Sequence, residues 1–286
     1  MARDEMPDHT IPLELDRIMA DKEAVIKADN VVRRFGDRTV LNGISLEIYR
    51  GETFVIMGGS GCGKSTFLRH IIGSLKPDSG SIQLLGRDLG ALGEDEMDRL
   101  RLKIGISFQS SALFDSMTVG ENVVLGLKEH TKLAKSVRDI VVKMKLEMVG
   151  LRGFEDLMPS QISGGMRKRV GLARAVAMDP EIVFYDEPTA GLDPIVAGVI
   201  DKLILDISKK LSITSVVVTH DMKSVFSIAD RVAMLYEGKV LEVGTPSEIR
   251  NSKNPMVQQF INGSPDGPIR FFRQKDDYLE TLVGPG

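Results

Sequence analysis

Between Phe54 and Thr66 the chain reads FVIMGGSGCGKST. Gly58, Gly61 and Gly63 with Lys64 and Ser65 fit G-x-x-x-x-G-K-[ST], the spacing of a loop that wraps phosphate between a strand and a helix. Glycines leave the backbone N–H groups free to curl around phosphate oxygens and admit backbone angles that a side chain forbids. Lys64 is then placed for the β and γ phosphates and the Ser65 hydroxyl for Mg²⁺, while a helix opening at Lys64 turns its positive end toward the same anion. Farther along, the apolar run Ile182-Val183-Phe184-Tyr185 ends in two carboxylates, Asp186 and Glu187. Alone, such a pair reads as a solvated turn. Beside a phosphate loop it suits an Asp that holds the Mg²⁺ shell and a Glu that polarises water. The loop by itself says that a nucleoside triphosphate binds, not what the binding is for.

Two further polar residues fall where open α/β sheets place their ligands, at the carboxyl ends of apolar strands. Gln109 follows Ile104–Phe108, and His220 follows Ser215-Val-Val-Val218 and Thr219. Both are expected near the γ phosphate, although a lone histidine is more often structural. Ser163, in the stretch QISGGMR, can cap a helix running to about Ala177, with Gly164 and Gly165 allowing close approach at its first turn. A second anion-facing helix end, in a chain whose phosphates already have a loop, implies contact with a nucleotide held by another subunit. Phe35 closes a strand upstream of the loop; on spacing alone it suits stacking on a purine and core packing equally. Cys62, inside the loop, reads as a small residue at a permissive position, with alkylation sensitivity from the nearby helix end as the alternative.

The elements that must carry these residues follow from periodicity. Phe54–Met57 has no polar alternation, as in a strand buried on both faces of a parallel sheet. From Ala24, AVIKADNVVRRF, a Gly36-Asp37 turn, and Ile44, Leu46 and Ile48 at alternate positions predict an antiparallel layer beside the nucleotide core. Helices are expected from Lys64 to Gly73, from Glu94 to Lys103, and from Asp193, as N-cap before Pro194, to about Leu211. Between Gln109 and Ser163 strand patterning stops, and Val137, Ile140, Val141, Met144, Met148, Val149 and Leu151 recur at helical spacing. This is a mainly helical insert, about 110–160, whose methionines are read as core packing. Ala112, Leu113, Phe114 and Met117 leave an apolar patch for a partner. A hairpin from Val232 to Val243 turns at Glu237-Gly238, Thr245-Pro246-Ser247-Glu248 is a capping box, and a last helix ends near Gly263. Residues 1–23 are read as an extension with a short amphipathic turn at Leu13, Leu15, Ile18 and Met19, and the Pro- and Gly-rich stretch from Ser264 as an extended arm.

Composition bounds the rest. A chain of 286 residues with 42% hydrophobic and 27% charged residues can bury a sizeable core. Its net charge of −3 argues against broad nucleic-acid binding. A single cysteine excludes an internal disulfide framework and suits a reducing compartment. No run approaches the roughly 18 to 20 apolar residues of a membrane helix, and the first residues lack a signal-peptide pattern. A cytoplasmic protein that reaches a membrane only through a partner is expected.

The order Phe35, Gly58–Thr66, Gln109, Ile162-Ser-Gly-Gly-Met166, Asp186-Glu187, Ala190-Gly-Leu-Asp193 and His220 resembles the nucleotide-binding subunit of an ABC transporter over roughly residues 24–250. The resemblance implies an α/β fold, a P-loop NTPase (RecA-like) core with an antiparallel β layer and a helical insert, and an ATPase using ATP and Mg²⁺. It implies that Phe35 stacks on adenine, that Gly58, Gly59, Ser60, Gly61, Cys62, Gly63, Lys64, Ser65 and Thr66 hold the phosphates, and that Ser65, Gln109 and Asp186 serve the metal. Glu187 would be the general base, His220 the switch histidine, and Gln109 the link to a membrane permease. Ser163, Gly164 and Gly165 would face the γ phosphate on a second copy of the chain, with Asp193 at the dimer interface. Met166 departs from the Gln that usually ends this signature.

A narrower resemblance, in FQSSALFDSMTVGENV, LKEHT at Leu127–Thr131, the ISGGM variant and QQFINGSPDGPIRF at Gln258–Phe271, is to the ATPase of Mla-type phospholipid transporters, which work with MCE-domain proteins. Chloroplast lipid-transport ATPases share much of it. This implies a permease and an MCE-domain protein as partners, small regulatory subunits as in some relatives, a C-terminal helix and extended arm over 251–286 whose arm can reach the partner ATPase, and a place on the cytoplasmic face of the inner membrane. An ABC ATPase for another solute differs only in its permease. Non-transport ABC ATPases of DNA repair carry a long coiled-coil insertion, and sustained heptads are missing here; ABC translation factors hold two cassettes, and one is found.

Overall fold

The computed structural model describes residues 22–269. Two sheets organise it. Strands β1 (Ala24–Phe35), β2 (Arg38–Tyr49), β4 (Ser79–Leu84) and β5 (Arg87–Asp88) form an antiparallel sheet in the order β2-β1-β4-β5. Strands β3 (Thr53–Met57), β6 (Ile104–Ser107), β7 (Ile182–Asp186), β8 (Thr214–Thr219), β9 (Arg231–Tyr236) and β10 (Lys239–Gly244) form the other, in the order β10-β9-β3-β8-β7-β6. All its pairings are parallel except β10 against β9, the hairpin read from sequence around Glu237-Gly238.

The second sheet is a wall between two cores, and its lack of polar alternation follows from that. Val55 and Met57 of β3, Val183 and Tyr185 of β7 and Val232 and Met234 of β9 point into one core; Phe54, Ile56, Ile182, Phe184, Ala233 and Leu235 point into the other. Residues on alternate sides of a strand face opposite ways, so a strand with apolar neighbours on both sides has no solvent face to mark with polar residues. The second core is closed by the antiparallel sheet with α1 (Lys64–Ile71) and α2 (Glu94–Arg101), through Ile26, Ile44, Ile48, Phe67, Ile71 and Leu100.

The first core is closed by helices: α3 (Val119–His130), α4 (Lys135–Met148), α5 (Gly164–Ala175), α6 (Pro194–Leu211), α7 (Met222–Ile228), α8 (Pro246–Arg250) and α9 (Pro255–Asn262). Several boundaries are written in caps. Asp193 accepts from the N–H groups of Ile195 and Val196 at the head of α6, Thr118 and Thr245 form capping boxes with Glu121 and Glu248, and Gly263 ends α9 in the left-handed region. Helix α1 stops two residues short of the expected Gly73, which turns the chain at φ 69°.

One helical expectation needs correcting. In α4 the apolar row Val137, Ile140 and Met144 is not core; these side chains are exposed, Ile140 at 58% and Met144 at 60%. The buried side is Val142, Lys145 and Leu146, so the sequence carries two apolar stripes, and tertiary contact takes only one of them. The N-terminal amphipathic turn at Leu13–Met19 and the end of the arm lie outside the described residues.

Candidate active site

The parallel sheet aligns its carboxyl ends. Met57 pairs with Thr219, Asp186 with Val218, and Ser107 with Tyr185, so the residues that follow β3, β8, β7 and β6 emerge side by side. These are the glycine loop, His220, Glu187 and the Gln109 segment.

After β3, Gly58, Gly61 and Gly63 take φ values of 151°, 77° and 109°. A Cβ on Gly58 would lie 2.3 Å from the Leu235 carbonyl oxygen, and one on Gly63 2.9 Å from that of Val40, so the loop is pressed against the strands behind it and only glycine fits. Gly63 precedes α1 with no side-chain cap, leaving the first-turn N–H groups directed outward. Lys64 is buried, its Nζ donating to the carbonyls of Gly58 (2.8 Å) and Gly59 (3.0 Å), so the ammonium is held inside the ring of the loop. Phe35, Arg38 and Val40 join Gly61, Gly63, Lys64, Ser65 and Thr66 around a cavity of about 280 Å³. Phe35 is 49% exposed there, which decides against core packing. One face of its ring carries the Arg33 guanidinium at 4.8 Å, itself paired with Asp78 at 2.7 Å. Cys62 is buried, and burial pushes its thiol up against the opposing pull of Lys64, so the small-residue reading holds and the reactive one loses its support.

The carboxylates face this loop. Ser65 Oγ donates to Asp186 Oδ1 at 3.3 Å. Burial pushes the Asp186 carboxyl above its ordinary range; the Ser65 hydrogen bond opposes this, and neighbouring Glu187 adds to it. Two hard oxygens in this arrangement fit Mg²⁺ arriving with a nucleotide, since Mg²⁺ takes few protein ligands and completes its shell with phosphate and water. Among the described residues no group of three or more His, Cys, Asp or Glu stands together.

Glu187 is 9% exposed and sits at φ 47°, the left-handed region, with its N–H bonded to the Val218 carbonyl at 2.8 Å. That turn brings its carboxylate to His220 Nδ1 at 2.9 Å and within 3.3 Å of the Thr219 hydroxyl, which donates to it. Gln109 shares a second cavity, of about 520 Å³, with Phe108, Ser110, Asp186, Ala190 and Gly191.

The remaining expected residues stand apart. Ser163, Gly164, Gly165 and Asp193 line neither cavity. Ser163 caps α5 by accepting from the Met166 N–H, and Gly165 lets that helix end meet α6, where a Cβ would lie 2.8 Å from Val196 Cγ1.

Two residues at the site escaped the sequence reading. Arg38 lines the first cavity and follows the glycine loop through its Gly61 carbonyl at 3.4 Å. Lys168 lies within the basic run Arg167-Lys168-Arg169, which reads as a solvated helix face, yet it is buried and donates to the carbonyls of Gln109 (2.5 Å) and Glu187 (3.2 Å). Burial lowers the pKa of its ammonium, against the pull of Glu187 and Asp186. No spacing signal distinguishes it from its neighbours.

The ABC transporter family profile matches residues 41–190. The intermembrane phospholipid transport system ATP-binding protein MlaF of Haemophilus influenzae is 42% identical over 90% of this chain and 98% of its own length; that of Escherichia coli K12 is 43% identical over 88% and 93%. The chloroplastic protein trigalactosyldiacylglycerol 3 of Arabidopsis thaliana is 42% identical over 88% of this chain and 77% of its own. Among solved structures, a dimeric ATP-binding cassette in a post-hydrolysis state with ADP and Pi superposes with a TM-score of 0.71 at 33% identity, over 77% of this chain and 98% of the other. A cassette from Clostridium perfringens, part of an ABC transporter complex, gives 0.75 at 31% identity over 92% and 99%. A strand-borne phosphate loop, facing carboxylates and this similarity along nearly the whole chain lead to one assignment: the chain belongs to the ABC transporter family, as an ATP-binding and ATP-hydrolysing subunit.

Proposed function

We propose that this subunit drives phospholipid movement between two membranes, working with a permease and an MCE-domain protein on the cytoplasmic side of the inner membrane. The observation that carries the reading is the extent of similarity to MlaF: 42% identity over 98% of the relative's length. A second reading comes from the probable ribonucleotide transport ATP-binding protein of Mycobacterium leprae, 40% identical, but this chain spans 73% of it. No described helix is long and apolar enough to cross a membrane, so the membrane step belongs to a partner. The exposed Phe108 and Phe114 flanking the Gln109 segment offer a place for that partner to press.

In this reading ATP lies along the cavity between Phe35 and α1. The free face of Phe35 stacks on adenine, the loop Gly58–Thr66 surrounds the phosphates, and Lys64 neutralises them. Mg²⁺, held through Ser65, Asp186 and Gln109, would supply charge neutralisation at the β and γ phosphates. Glu187 orients and polarises the attacking water, and His220, bonded to it at 2.9 Å, fixes the carboxylate and reaches toward the γ phosphate. Ser163, Gly164, Gly165 and Asp193 act on a second copy: the chain carries two anion-facing helix ends, at Gly63 and at Ser163, and a homodimer with two nucleotides between the copies gives the second end a phosphate to meet.

The test is affinity purification of the chain from detergent-solubilised membranes of its own source, with mass spectrometry of what accompanies it. A permease together with an MCE-domain protein is the expected result. A permease with a soluble solute-binding protein would overturn the phospholipid reading and leave the ATPase intact.

A further inference from the structure

We propose that Lys168 is a positioning residue for hydrolysis: its buried ammonium ties the loop after β6 to the turn after β7, so that the place of the Gln109 segment sets the place of Glu187. The inference rests on Glu187 being the residue that polarises water.

A buried ammonium is costly unless its protons are bonded, and apolar packing at the same position in α5 would avoid that cost. Lys168 spends two of its three donors on main-chain carbonyls, those of Gln109 and Glu187. Its bonds are therefore to the backbone positions of two site segments and are indifferent to which side chains those segments carry. Both segments are held in conformations that need an external tether. Glu187 is left-handed at φ 47°, and past Gln109 two consecutive non-glycine residues are also left-handed, Ser111 at φ 63° and Ala112 at φ 43°. Such conformations cost on the order of 1–3 kcal/mol each and persist where surrounding contacts over-determine them.

Helix α5 supplies those contacts. Arg174, two turns beyond Lys168, donates to the carbonyls of Ser111 and Ala112, both at 2.6 Å. Between the two cations, Gly171 brings the helix against Ser111, where a Cβ would already touch Ser111 Cβ at 3.5 Å. The loop from Gln109 to Ala112 thus rides on α5 by two cations and one close approach, and the same helix begins at Ser163. A push on the Gln109 segment shifts α5 and, through Lys168, the backbone of Glu187.

The experiment uses the full chain and steady-state ATPase kinetics on Lys168→Met, Lys168→Arg, Glu187→Gln and the double variant Lys168→Met/Glu187→Gln. Misplacing a catalytic group by an ångström can cost about 100-fold, so Lys168→Met is expected to lower kcat roughly 10- to 100-fold while KM for ATP stays within about twofold. Arginine, which keeps the charge and the donors, recovers part of the loss. Because Lys168 acts through the place of the Glu187 carboxylate, adding Lys168→Met is expected to slow the residual rate of Glu187→Gln by no more than about twofold. Effects that multiply, a loss that appears in KM alone, or unchanged kcat in Lys168→Met each overturn the proposal while Glu187→Gln keeps only its residual rate. A Glu187→Gln protein that hydrolyses normally removes the base assignment and this inference with it. If Lys168→Met fails to fold by circular dichroism, Lys168→Gln, which retains a neutral donor, takes its place in the same cycle with the same criteria.

Discussion

At the scale of single residues, the chemistry rests on side chains whose environment is set by the strand ends that carry them. Glu187 is the sharpest case. Its carboxylate is nearly enclosed and meets His220 and Thr219, while its N–H continues the pairing with β8. Glu187→Gln keeps the size and removes the basicity, so the variant is expected to bind ATP as the parent does and to hydrolyse it at least about 100-fold more slowly, read by nucleotide binding beside phosphate release. A second residue makes a prediction about pH. His70 of α1 is buried with Nδ1 2.7 Å from the Thr66 carbonyl, and burial holds its pKa below the ordinary histidine value; Arg33 adds to this, while the Thr66 and Lys76 carbonyls and Asp78 oppose it. As pH falls below the unfolded value of about 6.5, the unfolded chain takes up a proton that the folded one resists, so this contribution is present above that pH and is lost on acidification. Replacing His70 with Asn should flatten the dependence of the melting midpoint between about pH 7.5 and 5.5; an equally steep dependence in the variant would sink the assignment. The sequence announced Glu187 because two acids at the end of an apolar run are unusual beside a phosphate loop. It could not announce His70 or Lys168, whose importance lies in burial against elements far away in the chain.

At the scale of elements, local patterns specified where helices begin better than which of their faces would be used. Asp193-Pro194 and Thr245-Pro246 mark N-caps because a short polar side chain satisfies N–H groups that the helix leaves open, a rule confined to neighbouring residues. The exposed row of α4 shows the limit, since apolar spacing names two possible stripes and packing against α3 and α5 selects one. Helix α3 carries a feature that joins both levels. Asn122 is fully buried; its Nδ2 donates to the carbonyls of Phe114, Met117 and Thr118, and its Oδ1 accepts from the Phe114 N–H at 2.8 Å. One side chain thereby fixes the backbone beneath the exposed Phe114, which the proposed function gives to the permease. Asn122→Ala removes the side-chain partner of the Phe114 N–H and the Met117 carbonyl, while the Phe114 and Thr118 carbonyls keep the Met117 and Asn122 N–H groups; the cost is about 2 kcal/mol, or roughly 4–8 °C in melting midpoint for a chain of this size. Amide exchange at Phe114 should rise with it. A variant with an unchanged midpoint and unchanged exchange would show that the loop is held by other means.

At the scale of the whole molecule, the sheet that separates two cores also separates two kinds of work. Strand ends β3, β7 and β8 gather Lys64, Asp186, Glu187 and His220 on one chain, whereas Ser163 and Asp193 cap the heads of α5 and α6, which meet where Gly165 faces Val196. The order of motifs made each group legible in the sequence, but their separation within one chain became visible only in three dimensions. If each nucleotide is shared between the glycine loop of one copy and the Ser163 helix of the other, the two halves of a site can be supplied by different chains. Lys64→Ala and Ser163→Phe should each abolish hydrolysis as pure proteins. Mixed and allowed to exchange subunits, they form heterodimers with one site doubly damaged and one intact, so activity should return to on the order of a quarter of the parent's, half the dimers each carrying one of two sites. Placing both substitutions on one chain and mixing it in equal amount with the unaltered protein leaves activity only in the unaltered homodimers, about a quarter of the dimers, because each heterodimer then has one damaged half in both sites. About half of the parent's activity in the second mixture with none in the first would mean that a single chain builds its own site, and the shared arrangement would have to be given up.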